Sequence, residues 1–175
     1  MKIALRSRTL FFALVISILF AGGAGWSRPG DPAGAPSSRR QSQAEPPKSP
    51  VPAAAIIEPE DLARILGSRE AEKPLIFQVG FHLLYKQAHI PGAEYTGPAS
   101  KDDSIQQLRK RVASLARTKF IVLYCGCCPW NRCPNVKPAY DALRDLGFKQ
   151  VKVLRIEENF GTNWVAKGYP TAKGD

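Results

Sequence analysis

The chain of 175 residues suffices for one ordinary domain, and 44% hydrophobic with 23% charged residues is the composition of a folded chain, not a disordered one. Lys and Arg exceed Asp and Glu by 25 to 15, a formal charge of +10. Half of that excess falls in residues 1–55, at +3 for 1–25 and +2 for 26–55, which argues against a dedicated nucleic-acid-binding domain, and no nucleic-acid partner is expected.

Residues 1–25 have the layout of a secretory signal peptide. Lys2, Arg6 and Arg8 precede the apolar run Leu10 to Phe20, and small residues follow from Ala21 to Gly25. The apolar run is short for a spanning helix, which needs about 20 residues, so a membrane is a partner only if this segment is retained as an anchor. Export to the periplasm or the exterior is the expectation. Residues 26–55 hold seven prolines among Gly, Ala, Ser and Gln with no apolar period, and read as a disordered tether.

The domain is expected over 56–175. Glu58-Pro59-Glu60-Asp61 starts a helix whose apolar face is Leu62, Ile65 and Leu66, with Gly67 ending it. Leu75 to Val79 is an apolar strand between Pro74 and Gly80. Phe81 to Gln87 reads as a helical turn, followed by the tight segment His89-Ile90-Pro91-Gly92-Ala93. Asp102 or Asp103 opens a helix carrying Ile105, Leu108, Val112 and Leu115 at helical spacing. Phe120 to Tyr124 is a continuous β-rich run, the pattern of a strand buried on both faces. A helix over Val136 to Leu146 takes Asn135 as N-cap and Pro138 in its first turn, and Gly147 terminates it. Val151 to Ile156 is the last strong strand, and Phe160 to Lys167 a closing helix. Strands alternating with helices imply a parallel sheet, whose ligands gather at the carboxyl ends of the strands.

All four cysteines lie within the nine residues Cys125 to Cys133, directly after the strand ending at Tyr124. They cannot staple distant parts of a fold, so they mark one site. A loop between a strand and a helix can aim its backbone N–H groups, and the positive end of the helix, at a thiolate or persulfide. Arg132, in the same loop, could grip an anionic sulfur donor.

The order and spacing of these landmarks resemble a single-domain rhodanese-like protein. The resemblance is carried by the strand Leu75–Val79, the segment His89 to Ala93, the strand ending in Tyr124-Cys125, Leu143 to Gly147, Val151 to Leu154, and Trp164 with Gly168-Tyr169-Pro170. It implies an α/β fold, a five-stranded parallel sheet flanked by helices, and sulfur transfer through a persulfide on Cys125, of thiosulfate type. Arg132 and Gly126 would then bind the donor anion, with backbone N–H groups from Gly126 to Arg132 around it. A small sulfur donor and a thiol acceptor are the implied partners, no cofactor is expected, and a monomer is expected. The sequence departs from the family in two places. Gln78 and Gly80 stand where charged residues are common, and Gly147 follows Cys125 by 22 residues, which lengthens the active-site loop.

That enlarged loop brings Cys127, Cys128 and Cys133 beside Cys125. They could resolve a persulfide or sulfenate on Cys125 as a disulfide, complete a tetrahedral zinc or an iron–sulfur site with it, or pin the loop through structural disulfides. The competing reading of the whole chain is a non-catalytic module that uses the loop to bind a partner or a metal. A phosphatase, from the longer loop with Cys and Arg, is a third and weaker reading. His89 is expected to order its turn, His82 to be a surface or structural residue, Trp130 and Trp164 to pack, and Glu157-Glu158 to be solvated.

Overall fold

The computed structural model describes residues 49–69 and 72–175. The leader read at 1–25, and residues 26–48 of the tether, lie outside them. Among the described residues no helix is long and apolar enough to cross a membrane.

Five strands, β1 (Ile56–Ile57), β2 (Leu75–Gln78), β3 (Glu94–Tyr95), β4 (Ile121–Tyr124) and β5 (Val151–Leu154), form one sheet in the order β1-β5-β4-β2-β3. Every neighbouring pair is parallel, as the sequence implied. The helices are α1 (Pro59–Gly67), α2 (His82–Gln87), α3 (Asp102–Val112), α4 (Val136–Asp145) and the short α5 (Phe160–Asn163). The expected closing helix breaks at Trp164, whose φ of −125° and ψ of −59° leave helical space, and resumes as a 3₁₀ turn over Val165–Lys167. β1 and β3 have two residues each, too few to show a period, and the residue patterns alone gave no strand there.

The middle strand β4 is buried at every position, as its unbroken apolar run implied. Its alternate residues serve two cores. Ile121 and Leu123 join Phe77 and Val153, Leu108 and Val112 of α3, and Ala139 and Leu143 of α4. Val122 and Tyr124 join Ile76 and Leu154, Leu62 of α1, Tyr85 of α2, Phe160 and Trp164. Each fully buried side chain of this size contributes about 1.5–3 kcal/mol. The sheet is therefore clamped between two helical layers, and the carboxyl end of β4 is fixed from both sides.

The folded unit starts before the expected boundary at Ile56. Val51 and Ala55, inside the stretch read as tether, are 4% exposed and pack into the α3–α4 core. At the other end, Ala172 pairs with His89 in an antiparallel bridge, its N–H donating to His89 O at 2.8 Å and its carbonyl accepting the His89 N–H at 2.9 Å. His89 is buried, lies parallel to the Tyr85 ring at 3.9 Å between centroids, and holds Nδ1 2.9 Å from Tyr85 O. These contacts order the turn, the role expected of His89.

Helix α4 closes through paired bonds from Gly147 N to Arg144 O and from Phe148 N to Leu143 O, a Schellman arrangement. Pro138 sits in its first turn, where a missing N–H removes no helical bond. Asn135 departs from its expected role. Its side chain makes no cap bond, because it is committed to tertiary partners.

Candidate active site

Cys125 is the first residue beyond β4 and is 3% exposed. Its backbone is latched to the neighbouring strand by Gln78. Gln78 Nε2 donates to Cys125 O at 3.1 Å, and Gln78 Oε1 accepts the Gly80 N–H at 3.1 Å. Gly80 lets the two strand ends approach, since a Cβ there would lie 2.9 Å from Cys125 Sγ and 3.0 Å from Cys125 O. The two positions that depart from the family pattern are thus the ones packed against the thiol.

At Gly126 the chain turns with φ +73°, in left-handed space that favours glycine. A Cβ there would come within 2.7 Å of Phe160 Cβ, and Gly126 O accepts the Phe160 N–H at 3.1 Å. The turn therefore seats α5 against the site.

The loop then folds back, and the Sγ atoms of Cys125, Cys127, Cys128 and Cys133 all lie within 4.8 Å of one another. Cys125 Sγ is 3.0 Å from Cys127 Sγ, and Cys127 Sγ is 3.0 Å from Cys128 Sγ. All four are free thiols. Cys125 is buried and the other three are half-buried. Four thiols this close could hold a metal ion.

Asn135 is the residue that the sequence reading missed as part of the site. It is fully buried, its Oδ1 accepts the Ser100 N–H at 2.9 Å, and its Nδ2 faces Cys125 Sγ at 3.3 Å and Cys127 Sγ at 3.9 Å. The backbone N–H groups of Asn135 and Val136, at the start of α4, act on Cys133. The helix start thus favours charge on Cys133, where the sequence reading placed that effect on Cys125.

The thiols titrate as a set. Contacts with Cys127 and Cys133, then burial, push Cys125 up. Cys127 is pulled down because Cys125 and Cys133 act as donors to it. Burial, then Cys127, pushes Cys128 up. In Cys133 the contact with Cys125 lowers the pKa while Cys127 and burial raise it, and the net shift is upward. Of the four, Cys127 is the thiol held below its ordinary value.

Arg132 does not join them. It ends the 3₁₀ turn Trp130–Arg132, its side chain is exposed, and it is absent from the cavity wall. Two of the amides expected around Cys125 are also spent elsewhere. Trp130 N donates to Glu157 O at 3.1 Å, and Arg132 N to Pro129 O at 2.9 Å. The first of these bonds, with the buried Trp130 ring, ties the loop to the segment after β5.

A cavity of about 310 Å³ opens onto Cys125, Gly126 and Cys127, walled by Leu84 and Ala88 on one side and Phe160 and Val165 on the other. Gln78, Gln87 and Asn159 supply polarity, and no Lys, Arg, Asp or Glu lines it. It lies at the carboxyl end of β4, where a parallel sheet collects ligands.

The model of the family described as rhodanese-like domain matches residues 58–155. Among solved structures, the Alr3790 protein from Anabaena sp is 25% identical with a TM-score of 0.51, over 67% of this chain and 92% of that one. The rhodanese-like domain of the same protein in its solution structure is 23% identical with a TM-score of 0.50, over 68% and 79%. A thiosulfate sulfurtransferase from Pseudomonas aeruginosa is 26% identical with a TM-score of 0.50, over 73% of this chain and 20% of that one. The chain thus corresponds to about a fifth of that sulfurtransferase. No curated protein matches.

Proposed function

The chain belongs to the rhodanese-like domain family, and from that premise we propose that it is an exported sulfurtransferase that carries sulfane sulfur as a persulfide on Cys125. The observation that carries the reading is the placement of Cys125 at the carboxyl end of the central strand, in the wall of a cavity. The leader-like layout of residues 1–25 supports export.

In this reading Cys127, the thiol of the set held below its ordinary value and 3.0 Å away, accepts the Cys125 thiol proton as Cys125 Sγ attacks the outer sulfur of a donor R–S–S. The donor S–S bond breaks, its electron pair leaves with R–S, which takes up that proton, and Cys125 holds the new S–S bond. An acceptor thiolate then attacks the terminal sulfur, and Cys125 leaves as thiolate. Asn135 Nδ2, at 3.3 Å, stabilises negative sulfur at this position. The uncharged lining favours an organic persulfide or polysulfide donor over a dianion, and this narrows the thiosulfate-type activity implied by the resemblance. A thiol with an apolar neighbourhood suits the acceptor, which enters between α2 and α5.

The test is mass spectrometry of the reduced, chelator-treated full chain after exposure to a low-molecular-weight persulfide. One added sulfur on the peptide containing Cys125, lost again to a thiol acceptor and absent in Cys125→Ser, supports the reading. Sulfur uptake unchanged in Cys125→Ser, or no uptake at all, overturns it.

A further inference from the structure

The enlarged loop places three thiols where single-cysteine sulfur transfer needs none. Their geometry selects among the uses such a set can have. The four thiols stand reduced, their two nearest contacts at 3.0 Å against a disulfide bond of about 2.05 Å, and a reduced set is the form that takes up a metal ion. An iron–sulfur cluster interposes several irons and sulfides between its cysteine sulfurs and so spreads them widely. A mutual spread of at most 4.8 Å leaves no room for that. One tetrahedral ion with metal–sulfur bonds of about 2.3 Å sets its sulfurs about 3.8 Å apart, an arrangement the four reach within their 4.8 Å spread once the two 3.0 Å contacts open by roughly 0.8 Å.

The surroundings agree with this choice. Thiolate ligands of a metal accept N–H bonds that orient them and spread their charge. Here Asn135 Nδ2 serves Cys125 and Cys127, and the amides of Asn135 and Val136 serve Cys133. Asn135 is itself fixed by the Ser100 amide. No Lys or Arg lines the cavity beside Cys125 and Cys127, so thiolates formed there have no cationic side chain of that wall to balance them. The three outer thiols are half-buried, which leaves an entry path, while Cys125 forms the inner corner.

We propose that Cys125, Cys127, Cys128 and Cys133 bind one zinc(II) ion as a tetrathiolate, and that zinc and a persulfide on Cys125 exclude each other. The second half rests on the sulfur-transfer reading above. The exchange is redox-neutral: four sulfur–metal bonds form, the thiol protons leave to solvent, and no sulfur changes oxidation state. A Cys125 coordinated in a closed tetrathiolate shares its charge with the ion and presents no free thiolate to a donor, so the site transfers sulfur only when metal-free.

The test uses the full chain, reduced and stripped with a chelator, and cobalt(II) as the optical probe. Expected are one cobalt(II) per chain with the intense visible bands of a tetrahedral thiolate site, their loss on adding zinc(II), and one zinc per chain in native mass spectrometry. Cys133→Ser should weaken zinc binding by at least about tenfold. Zinc should abolish sulfur uptake at Cys125, and the chelator should restore it. Absence of tetrahedral cobalt bands and of retained zinc overturns the site. Zinc bound while Cys125 still takes up sulfur overturns the exclusion. Copper(I) retained by three cysteines in place of zinc, with Cys125 open to alkylation, overturns both. If the metal-free protein takes up no sulfur while the cobalt bands form, the sulfur-transfer reading fails and the metal site stands.

Discussion

Asn135 Nδ2 sits 3.3 Å from Cys125 Sγ although ten residues separate the two in the chain, and Oδ1 of the same amide holds the Ser100 N–H at 2.9 Å. One fully buried side chain therefore couples the thiol to the start of α3 and to the start of α4. Asn135→Ala strands the Ser100 amide and removes the donor to sulfur. A loss of about 1–3 kcal/mol in urea unfolding is expected. Persulfide formation on Cys125 should slow by about tenfold, the kinetic equivalent of one charge-assisted hydrogen bond. An unchanged urea midpoint would show that these bonds carry no stability.

Gln78→Glu preserves shape and replaces the donor to Cys125 O with an acid. As a carboxylate at 2% exposure it faces a carbonyl oxygen and has no cation beside it. Burial raises such a carboxyl, so the protonated form, able to donate to Cys125 O, is the one the fold tolerates. The sign follows from linkage: the folded pKa lies above the unfolded one, so stability is retained at low pH and declines as pH rises through the folded value. Thermal unfolding from pH 4 to 8 should show Tm of the variant falling with pH relative to the parent. Parallel Tm curves would contradict the assigned contact.

Gly126→Ala tests the seat of α5. The added methyl needs the space of Phe160 Cβ, 2.7 Å away, on a backbone at φ +73°. Together the strain and the clash should cost about 1–3 kcal/mol. Phe160 stacks on Trp164 with centroids 6.0 Å apart, so the displacement should register in tryptophan fluorescence. Parent-like stability and emission would place the turn differently.

Asp175 receives Lys86 Nζ at 3.0 Å and His82 Nε2 at 2.8 Å. The Lys86 bond is the largest cause and outweighs the opposing effect of burial; with a smaller contribution from His82 it holds the carboxyl below its ordinary value of 3.8. The contribution is present above the ordinary carboxylate pKa and is lost as pH falls through the lowered one. Carboxyl-detected NMR titration should find the Asp175 side chain below 3.8, and Lys86→Ala should move it back up. A titration at 3.8 in both would show that the contact is not populated in solution.

The sequence made the architecture readable where periodicity is long enough to count. The buried run of β4 and the spaced apolar residues of α3 were both plain, and their positions in two cores follow from alternation and helical pitch. The edge strands β1 and β3 were not, because two residues carry no pattern and pair only once the sheet exists. In the site, the convergence of four cysteines was legible from their spacing. The roles of Asn135, Gln78 and Gly80 were not, since each acts on Cys125 across tertiary distance. Asn135 looked like a helix cap for a sound local reason, and its tertiary partners took the side chain instead. Arg132 looked like an anion grip by proximity in sequence, and the 3₁₀ turn carries it to the surface.

All four sulfurs come from one uninterrupted stretch that leaves β4 and re-enters the fold at α4. Their assembly is consequently a cassette. Sites whose groups come from separate elements require concerted changes at distant codons to arise or disappear. Here a single insertion or deletion between a strand end and a helix start adds or removes the three outer sulfurs around Cys125, while the sheet beneath keeps its register.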